Sequence, residues 1–202
     1  MKRIEKEIST ATADMRRFER LLVIGCGGSG KSTLAVRLGE TTGLPVVHLD
    51  RLYWTPGWVH RSSEEFDVLL TAELDKPQWI IDGNFKRTLS KRLEKCDAVV
   101  LLDYPRLVCA VGVLRRQIRY AGRTRESMGD GCIERIEPGF LRWVWNFRKN
   151  TLPYVYSCLE RRLQQGEPIQ IFILKNRKQA RRWLTAAGAI MGAQQSCTDE
   201  LR

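Results

Sequence analysis

The stretch Gly25-Cys26-Gly27-Gly28-Ser29-Gly30-Lys31-Ser32-Thr33 decides the fold of this chain. It follows the apolar run Leu21–Ile24 and precedes a helical pattern that contains Leu34, Ala35 and Leu38. The spacing is G-x-x-x-x-G-K-[ST], and the context is strand, glycine-rich loop, helix. A flexible turn rarely carries all of these features, so the stretch predicts a phosphate-binding loop of the P-loop type.

Phosphate chemistry explains each residue type in this loop. Glycines let backbone N–H groups turn inward and approach phosphate oxygens, where a Cβ atom would interfere. The helix N-terminus adds unpaired N–H donors and the positive end of its dipole. Lys31 is expected to reach the β- and γ-phosphates, and the Ser32 hydroxyl to bind Mg²⁺. The predicted nucleotide-binding residues of the loop are Gly25, Gly27, Gly28, Ser29, Gly30, Lys31, Ser32 and Thr33.

The same glycines also satisfy a second motif. Gly25-x-Gly27-x-x-Gly30 fits the dinucleotide fingerprint G-x-G-x-x-G, and Asp50 follows about 20 residues later. A dinucleotide-binding enzyme is therefore an alternative hypothesis. Lys31 and Ser32 favour the P-loop, because a lysine and a hydroxyl after the last glycine serve a triphosphate–Mg²⁺ site and have no task in dinucleotide binding.

Size and hydropathy predict one domain without a membrane partner. The 202 residues are enough for a buried core. No apolar run approaches the roughly 20 residues of a membrane-spanning helix. Residues 1–7 are charged and no apolar segment follows them, so no secretory signal is expected.

The cysteines and the net charge narrow the function class. Six scattered cysteines without a C-x-x-C pair argue against a zinc site or a disulfide framework, and they predict a cytoplasmic protein. The formal net charge of +11 is compatible with nucleic acid or with a small polyanion such as ATP. The position of the basic residues is more informative than their number.

Apolar runs alternate with helical patterns along the chain, which predicts an α/β fold with a parallel sheet. The runs are continuous rather than alternating, as in strands buried on both faces. The five predicted strands are residues 21–24, 45–49, 78–81, 98–102 and 168–174. The predicted helices lie near residues 31–42, 62–74, 87–95, 105–120, 140–163 (with an interruption at Pro153) and 178–187, and residues 51–58 and 121–138 are predicted loops.

Three of the predicted strands are followed by an aspartate: Asp50, Asp82 and Asp103. One such residue is often only a turn residue, but three at the ligand-binding edge of a parallel sheet favour Mg²⁺ and acceptor chemistry. Asp103 has the form of a Walker-B aspartate and is the predicted metal residue beside Ser32. Asp50 is predicted to orient or deprotonate an acceptor hydroxyl.

Arginines are dense after the fourth predicted strand. They are Arg115, Arg116, Arg119, Arg123 and Arg125. A charge run is usually a solvated helix face, but this one continues from a helix into a loop with a glycine. Such a loop can close over a triphosphate and bring guanidinium groups to the transferring phosphoryl group. Arg119 and Arg123 are the predicted catalytic lid residues.

The aromatic group Trp143, Trp145 and Phe147 follows this loop. Such a group usually packs in a core or a lid. Because Arg142 and Arg148 lie between and beside these rings, stacking with single-stranded nucleic acid is the less favoured alternative.

Several motifs together resemble a known family. They are Gly25–Thr33, His48-Leu49-Asp50-x-Leu52-Tyr53-Trp54, Asp82-Gly83-Asn84, Leu102-Asp103-x-Pro105-Arg106, Gly122-Arg123-Thr124-Arg125 and Phe140-Leu141-Arg142-Trp143-Val144-Trp145. The chain resembles, over about residues 20–185, bacterial P-loop proteins often described as DNA topology modulation proteins. These are similar in fold to adenylate kinase and shikimate kinase.

The resemblance implies a three-layer P-loop NTPase fold with a five-stranded parallel sheet of order 2-3-1-4-5. It implies an acceptor region over about residues 50–76 and a lid over about residues 119–140. Asn176 and Arg177 are expected near the adenine. Adenylate kinases continue Asp-Gly with Phe-Pro-Arg, whereas Asn84-Phe85-Lys86-Arg87 follows here, so a nucleoside monophosphate acceptor is not specified. The stretch 176–179 lacks the final acidic residue of a guanine-reading motif, which favours ATP over GTP.

These observations predict a kinase-like domain over residues 20–187, preceded by an extension (1–19) and followed by a flexible tail (188–202). The predicted activity is transfer of the γ-phosphoryl group from ATP–Mg²⁺ to a small-molecule acceptor, a nucleotide or a hydroxyl metabolite. An ATP-dependent DNA-binding protein and a dinucleotide-binding enzyme are the alternatives. The sequence leaves the acceptor and the oligomeric state open.

Overall fold

The computed structural model describes residues 17–135, 137–166 and 168–187. The predicted tail, and all but the last three residues of the predicted extension, lie outside this part of the chain. The strands are β1 (Arg20–Gly25), β2 (Val46–His48), β3 (Trp54–Thr55), β4 (Val59–His60), β5 (Trp79–Asp82), β6 (Ala98–Leu102) and β7 (Gln170–Leu174). The helices are α1 (Lys31–Thr42), α2 (Leu49–Tyr53), α3 (Ser63–Leu74), α4 (Leu89–Lys95), α5 (Arg106–Arg119), α6 (Pro138–Asn150), α7 (Leu152–Gln164) and α8 (177–187).

A five-stranded parallel sheet of order β2-β5-β1-β6-β7 forms the centre of the fold. Numbered among themselves, these strands have the order 2-3-1-4-5, which confirms the predicted fold class. Every residue of Leu21–Ile24 and of β6 is buried, so helices or loops cover both faces of the central strands. Continuous apolar runs are required there because no side of these strands meets water.

Local signals set the helix ends as predicted. Ser62 and Glu65 form the capping box of α3: the Ser62 hydroxyl accepts from the Glu65 amide, and the Glu65 carboxylate accepts from the Ser62 amide. Helix α1 ends at Thr42, and Gly43 caps it: the Gly43 amide donates to the carbonyl of Gly39, and the positive φ of Gly43 turns the chain away from the helix.

Two predicted regions differ in the structure. Residues 51–58 hold most of the short helix α2 and the first strand of the β3–β4 hairpin, where Trp54 pairs with His60 and Thr55 with Val59. Strands of two residues are too short to give a readable sequence pattern. The predicted 140–163 helix is two helices, and it breaks at Thr151 rather than at Pro153, because a proline is tolerated in the first turn of α7.

The predicted lid begins with the last residue of α5, and between α5 and α6 its described residues form no named helix or strand but do pair with one another. Isolated bridges join Ala121 to Glu134 and Thr124 to Ile133. Among the described residues, no helix has the length and apolar character needed to cross a membrane.

Candidate active site

The phosphate loop runs from the end of β1 to the start of α1, and helices α5 and α6 cover its outer side. Gly28 has a φ of +74°, and a Cβ atom there would lie 2.2 Å from the carbonyl oxygen of Cys109 in α5. At Gly27 an added Cβ would lie 2.6 Å from the ring of Phe140 in α6. Packing alone therefore requires glycine at positions 27 and 28. Gly30, with a φ of +93°, has no such neighbour and is the N-cap of α1.

Asn84 fixes the start of the loop. Its Oδ1 accepts a hydrogen bond from the Gly25 amide (3.0 Å), and its Nδ2 donates to the Gly25 carbonyl (2.5 Å). The sequence analysis placed Asn84 in the Asp82-Gly83-Asn84 motif of the resemblance and in a departure from adenylate kinases, but assigned it no contact with the loop. The departure itself was the available signal, because a side chain with one donor and one acceptor suits a backbone N–H and C=O pair.

Arg92 in turn holds the loop that carries Asn84. Its guanidinium is fully buried and donates to the carbonyls of Gly83, Asn84, Phe85 and Thr88. Burial lowers the pKa of Arg92 to about 10, so the side chain stays protonated at neutral pH. A continuous set of hydrogen bonds thus joins α4 to Gly25.

The carboxylate of Asp82 lies between the loop lysine Lys31 and His48. Its Oδ1 is 4.0 Å from Lys31 Nζ, and its Oδ2 is 2.9 Å from His48 Nδ1. Register explains the second contact, because His48 and Asp82 are paired residues of neighbouring parallel strands. Burial raises the pKa of Asp82, but Lys31, the hydrogen bond from His48 and the nearby Ser32 hydroxyl outweigh this effect and hold the pKa below its ordinary value.

Asp50 lies in the first turn of α2 and is half-buried. Burial raises its pKa; the charge of Lys31 opposes this, and the negative charge of Asp82 reinforces it. Arg125 and Arg116 also act on this carboxylate and lower its pKa, but the net direction is upward. Asp50 is thus close enough to interact with the loop lysine and with the two arginines, Arg116 of α5 and Arg125 of the lid.

The arginines that act on Asp50 are held by Glu134. Arg116 donates to Oε1 of this buried carboxylate (2.9 Å) and Arg125 to Oε2 (2.7 Å). The predicted Arg119 and Arg123 are exposed, and Arg119 lies over the ring of Tyr120. Their catalytic role stays a prediction. The helix period contained the signal for Arg116, which lies beside the buried positions of α5.

The lid segment also contacts the β3–β4 hairpin of the acceptor region. Trp58 Nε1 donates to the Ile133 carbonyl (2.8 Å), and Cys132 Sγ donates to the Thr55 carbonyl (3.1 Å). The ring of Tyr53, just before the hairpin, lies 5.0 Å from that of Phe85. Lid, hairpin and the loop after β5 are thereby tied together around the Asp50 side of the site.

Asp103, the predicted metal residue, has a different environment. It is buried at the end of β6, where it accepts from Lys175 Nζ (2.7 Å) and the Tyr156 hydroxyl (3.0 Å). Arg148 lies 3.4 Å from its other oxygen. The carboxylate that interacts with Ser32 is that of Asp82. The sequence pattern could not decide between the two, because both aspartates follow a buried strand.

The predicted adenine residues lie between β7 and α8. Asn176 Oδ1 accepts from the Gln179 amide (2.8 Å) and caps α8. A Cβ atom on Gly112 would lie 3.0 Å from Arg177 Nη2 and 2.1 Å from the carbonyl oxygen of Gly28. Arg177 is therefore next to the helix that covers the loop, and its role toward adenine stays a prediction.

The aromatic group of α6 is engaged in packing. Trp143 stacks on Phe140, with ring centroids 5.6 Å apart, and contacts Phe147 edge-on at 5.3 Å. Trp145 lies under the guanidinium of Arg106.

Comparison with known proteins agrees with this architecture. Shikimate kinase from Acinetobacter baumannii, in complex with shikimate, aligns with a TM-score of 0.53 at 17% identity over 93% of this chain and 98% of that one. This chain therefore shares its fold with that protein. A gluconokinase from Sinorhizobium meliloti 1021 aligns with a TM-score of 0.44 at 15% identity over 88% of this chain and 95% of that one.

Sequence comparison does not assign this chain to a family. No family model matches. The alpha-2 and alpha-1 subunits of the guanine nucleotide-binding protein of Glycine max are 32% and 31% identical over 115 residues. These residues cover 52% of this chain, which spans only 28% of the length of either relative. The resemblance to DNA topology modulation proteins stays a prediction.

Proposed function

We propose that this protein is a kinase that transfers the γ-phosphoryl group of ATP to a hydroxyl group of a small molecule, with Mg²⁺ as cofactor. One observation carries the proposal. The loop lysine Lys31 and the helix-start hydroxyl Ser32 meet the carboxylates of Asp82 and Asp50 at the sheet edge where α/β proteins bind ligands. The shikimate kinase fold supports the same class of enzyme.

The residues beside the loop fit a magnesium ion. Asp82 Oδ1 is buried and accepts no hydrogen bond in the described part of the chain, and the low pKa of this group keeps it ionised. Mg²⁺ prefers such oxygens together with phosphate oxygens and waters. Ser32 and Asp82, in place of the predicted Asp103, are the residues that would hold it. When bound, Mg²⁺ neutralises charge on the phosphate oxygens.

Asp50 is the proposed general base. It would accept the proton of the acceptor hydroxyl, whose oxygen then bonds to the γ-phosphorus while the bond from that phosphorus to the β,γ-bridging oxygen breaks, leaving ADP. A raised pKa suits a base, because a proton acceptor works best when its pKa approaches the working pH.

Lys31 and two arginines near Asp50 supply the positive charge that the transfer step needs. We assign this task to Arg116 and Arg125, which act on Asp50, rather than to the predicted Arg119 and Arg123. Glu134 balances one of the two guanidinium charges and fixes both groups, so that they need no reorganisation as charge moves.

The test compares Lys31→Ala with Lys91→Ala, a control whose lysine donates to Thr71 on the surface. We expect ATP–Mg²⁺ to raise the melting temperature of wild type and of Lys91→Ala but not of Lys31→Ala. With a panel of small hydroxyl acceptors, ADP release should exceed the basal rate in the first two proteins only. Unchanged ATP binding by Lys31→Ala would refute the phosphate site.

Other ligands in the same assay separate the alternatives. GTP tests the relation to the guanine nucleotide-binding protein alpha subunits of Glycine max. Stabilisation by NADH but not by ATP would favour a dinucleotide enzyme. Salt-dependent DNA binding that persists in Lys31→Ala would favour the nucleic-acid hypothesis.

A further inference from the structure

Helix α5 exposes a row of large apolar side chains on the face opposite the phosphate loop. The exposed fractions are 62% for Leu107, 43% for Val111, 45% for Leu114 and 80% for Ile118. At 100° per residue, these positions fall within about 60° of the helix circumference. We call these four residues the α5 stripe.

The spacing of the α5 stripe is that of a helix–helix seam. Steps of four, three and four residues reproduce the a and d positions of a heptad. A helix that lies on a lipid surface presents a broader apolar face, of about 100° or more. Here the exposed Arg115 directly borders the row, so the apolar surface is narrow. A second helix packed along α5 matches this surface better than a bilayer does.

The charges beside the stripe define the partner. Neither α5 nor the adjacent α6 contains an acidic residue. Arg115 and Arg119 are exposed on one flank, and Arg115 has no ion pair within the described ranges. Two copies of this protein joined through their stripes would bring like charges together, which opposes association. An acidic helix would pair with them.

We propose that the α5 stripe binds an amphipathic helix of another protein, with apolar residues at its a and d positions and Asp or Glu on the flanks. The inner face of the same helix covers the phosphate loop at Gly28 and carries Arg116, which reaches Glu134 of the lid. A partner docked on the outer face of α5 therefore contacts the helix that supports both the phosphate loop and the Arg116–Glu134 ion pair. Binding at the α5 stripe does not require that the protein catalyse the proposed phosphoryl transfer.

Two synthetic peptides of about three heptads test the proposal, both with Leu at a and d. One carries Glu at e and g, and the other carries Lys. We expect the full-length protein to bind the Glu peptide about tenfold more tightly than the Lys peptide, measured by fluorescence anisotropy. Higher salt should reduce this difference.

Variants of exposed residues separate the seam from general stickiness. Ile118→Gln and Leu114→Gln should weaken binding of the Glu peptide about tenfold each. Arg115→Glu should shift the preference toward the Lys peptide. Val68→Gln, at an exposed apolar position of α3, is the matched control and should bind like wild type. Equal melting temperatures establish that these variants are folded.

Three results would overturn the proposal. The first is equal binding of both peptides, or no binding of either. The second is a dimer that Ile118→Gln dissociates, which would assign the stripe to a second copy of this chain. The third is binding to phosphatidylglycerol vesicles that Ile118→Gln removes while the Glu peptide does not bind, which would assign it to a lipid surface.

Discussion

Replacing Asn84 by Leu tests whether the loop after β5 holds the phosphate loop in place. Leu has a similar size but removes both hydrogen bonds to Gly25. Each bond contributes about 1 kcal/mol net, and leaving the buried Gly25 groups unpaired adds to this, so we expect a loss of about 2–4 kcal/mol of unfolding free energy. A loop that is less often in its binding geometry should also bind ATP about tenfold more weakly.

Urea unfolding, followed by circular dichroism, measures the first effect, and titration calorimetry with ATP–Mg²⁺ measures the second. Asn146→Leu is the matched control, because Asn146 donates a single hydrogen bond to the Arg142 carbonyl on the surface of α6. This control should lose less than about 0.5 kcal/mol. If Asn84→Leu behaves like Asn146→Leu in both assays, the Asn84 contact does not fix the loop.

Three further substitutions probe the site. Asp50→Asn should abolish transfer and raise the melting temperature at pH 7, because burial disfavours the ionised form; the gain should vanish below the ordinary Asp pKa of about 4, where the carboxyl is protonated whether folded or unfolded. Correspondingly, wild-type kcat/KM should fall as the pH drops through the raised pKa. Gly28→Ala should cost about 3 kcal/mol or more in urea unfolding, since its Cβ meets the Cys109 carbonyl, whereas Gly122→Ala, with positive φ but open space, should cost about 1 kcal/mol. Glu134→Gln leaves two guanidinium groups without their carboxylate and should cost about 3 kcal/mol in the same assay; an unchanged value would show that Glu134 does not hold the lid.

Short sequence patterns were sufficient to predict the main elements of the fold. The run Leu21–Ile24 could only be a strand buried on both faces, and the glycine loop after it could only lead into a helix. The capping box at Ser62 and the glycine after α1 marked helix ends through contacts within a few residues, which is why the sequence alone predicted them. The β3–β4 hairpin was missed, since its two-residue strands depend on packing against the distant lid.

The contacts of the site residues could not be predicted from the sequence, because their partners are close in space but distant in the chain. Asp82 and Asp103 both follow a buried strand, and the sequence pattern favoured Asp103 as the metal residue. The tertiary structure separates them, because β5 lies beside β1 and β2, next to Lys31 and His48, whereas Asp103 at the end of β6 meets Lys175 of β7's outgoing loop. Likewise, the density of arginines in the sequence did not show which of them lie near Asp50. The rotation of α5 and the buried Glu134 place Arg116 and Arg125 there.

By itself, the sequence determined that a P-loop would sit at the carboxyl edge of a parallel sheet, because period, glycine spacing and capping act over short stretches. Only the tertiary structure decided that Asp82 lies beside Lys31 and that Arg116 and Arg125 lie near Asp50. Electrostatic and hydrogen-bonding partners are chosen by strand order and helix rotation, and these join residues more than 50 positions apart in the chain, such as Gly25 and Asn84.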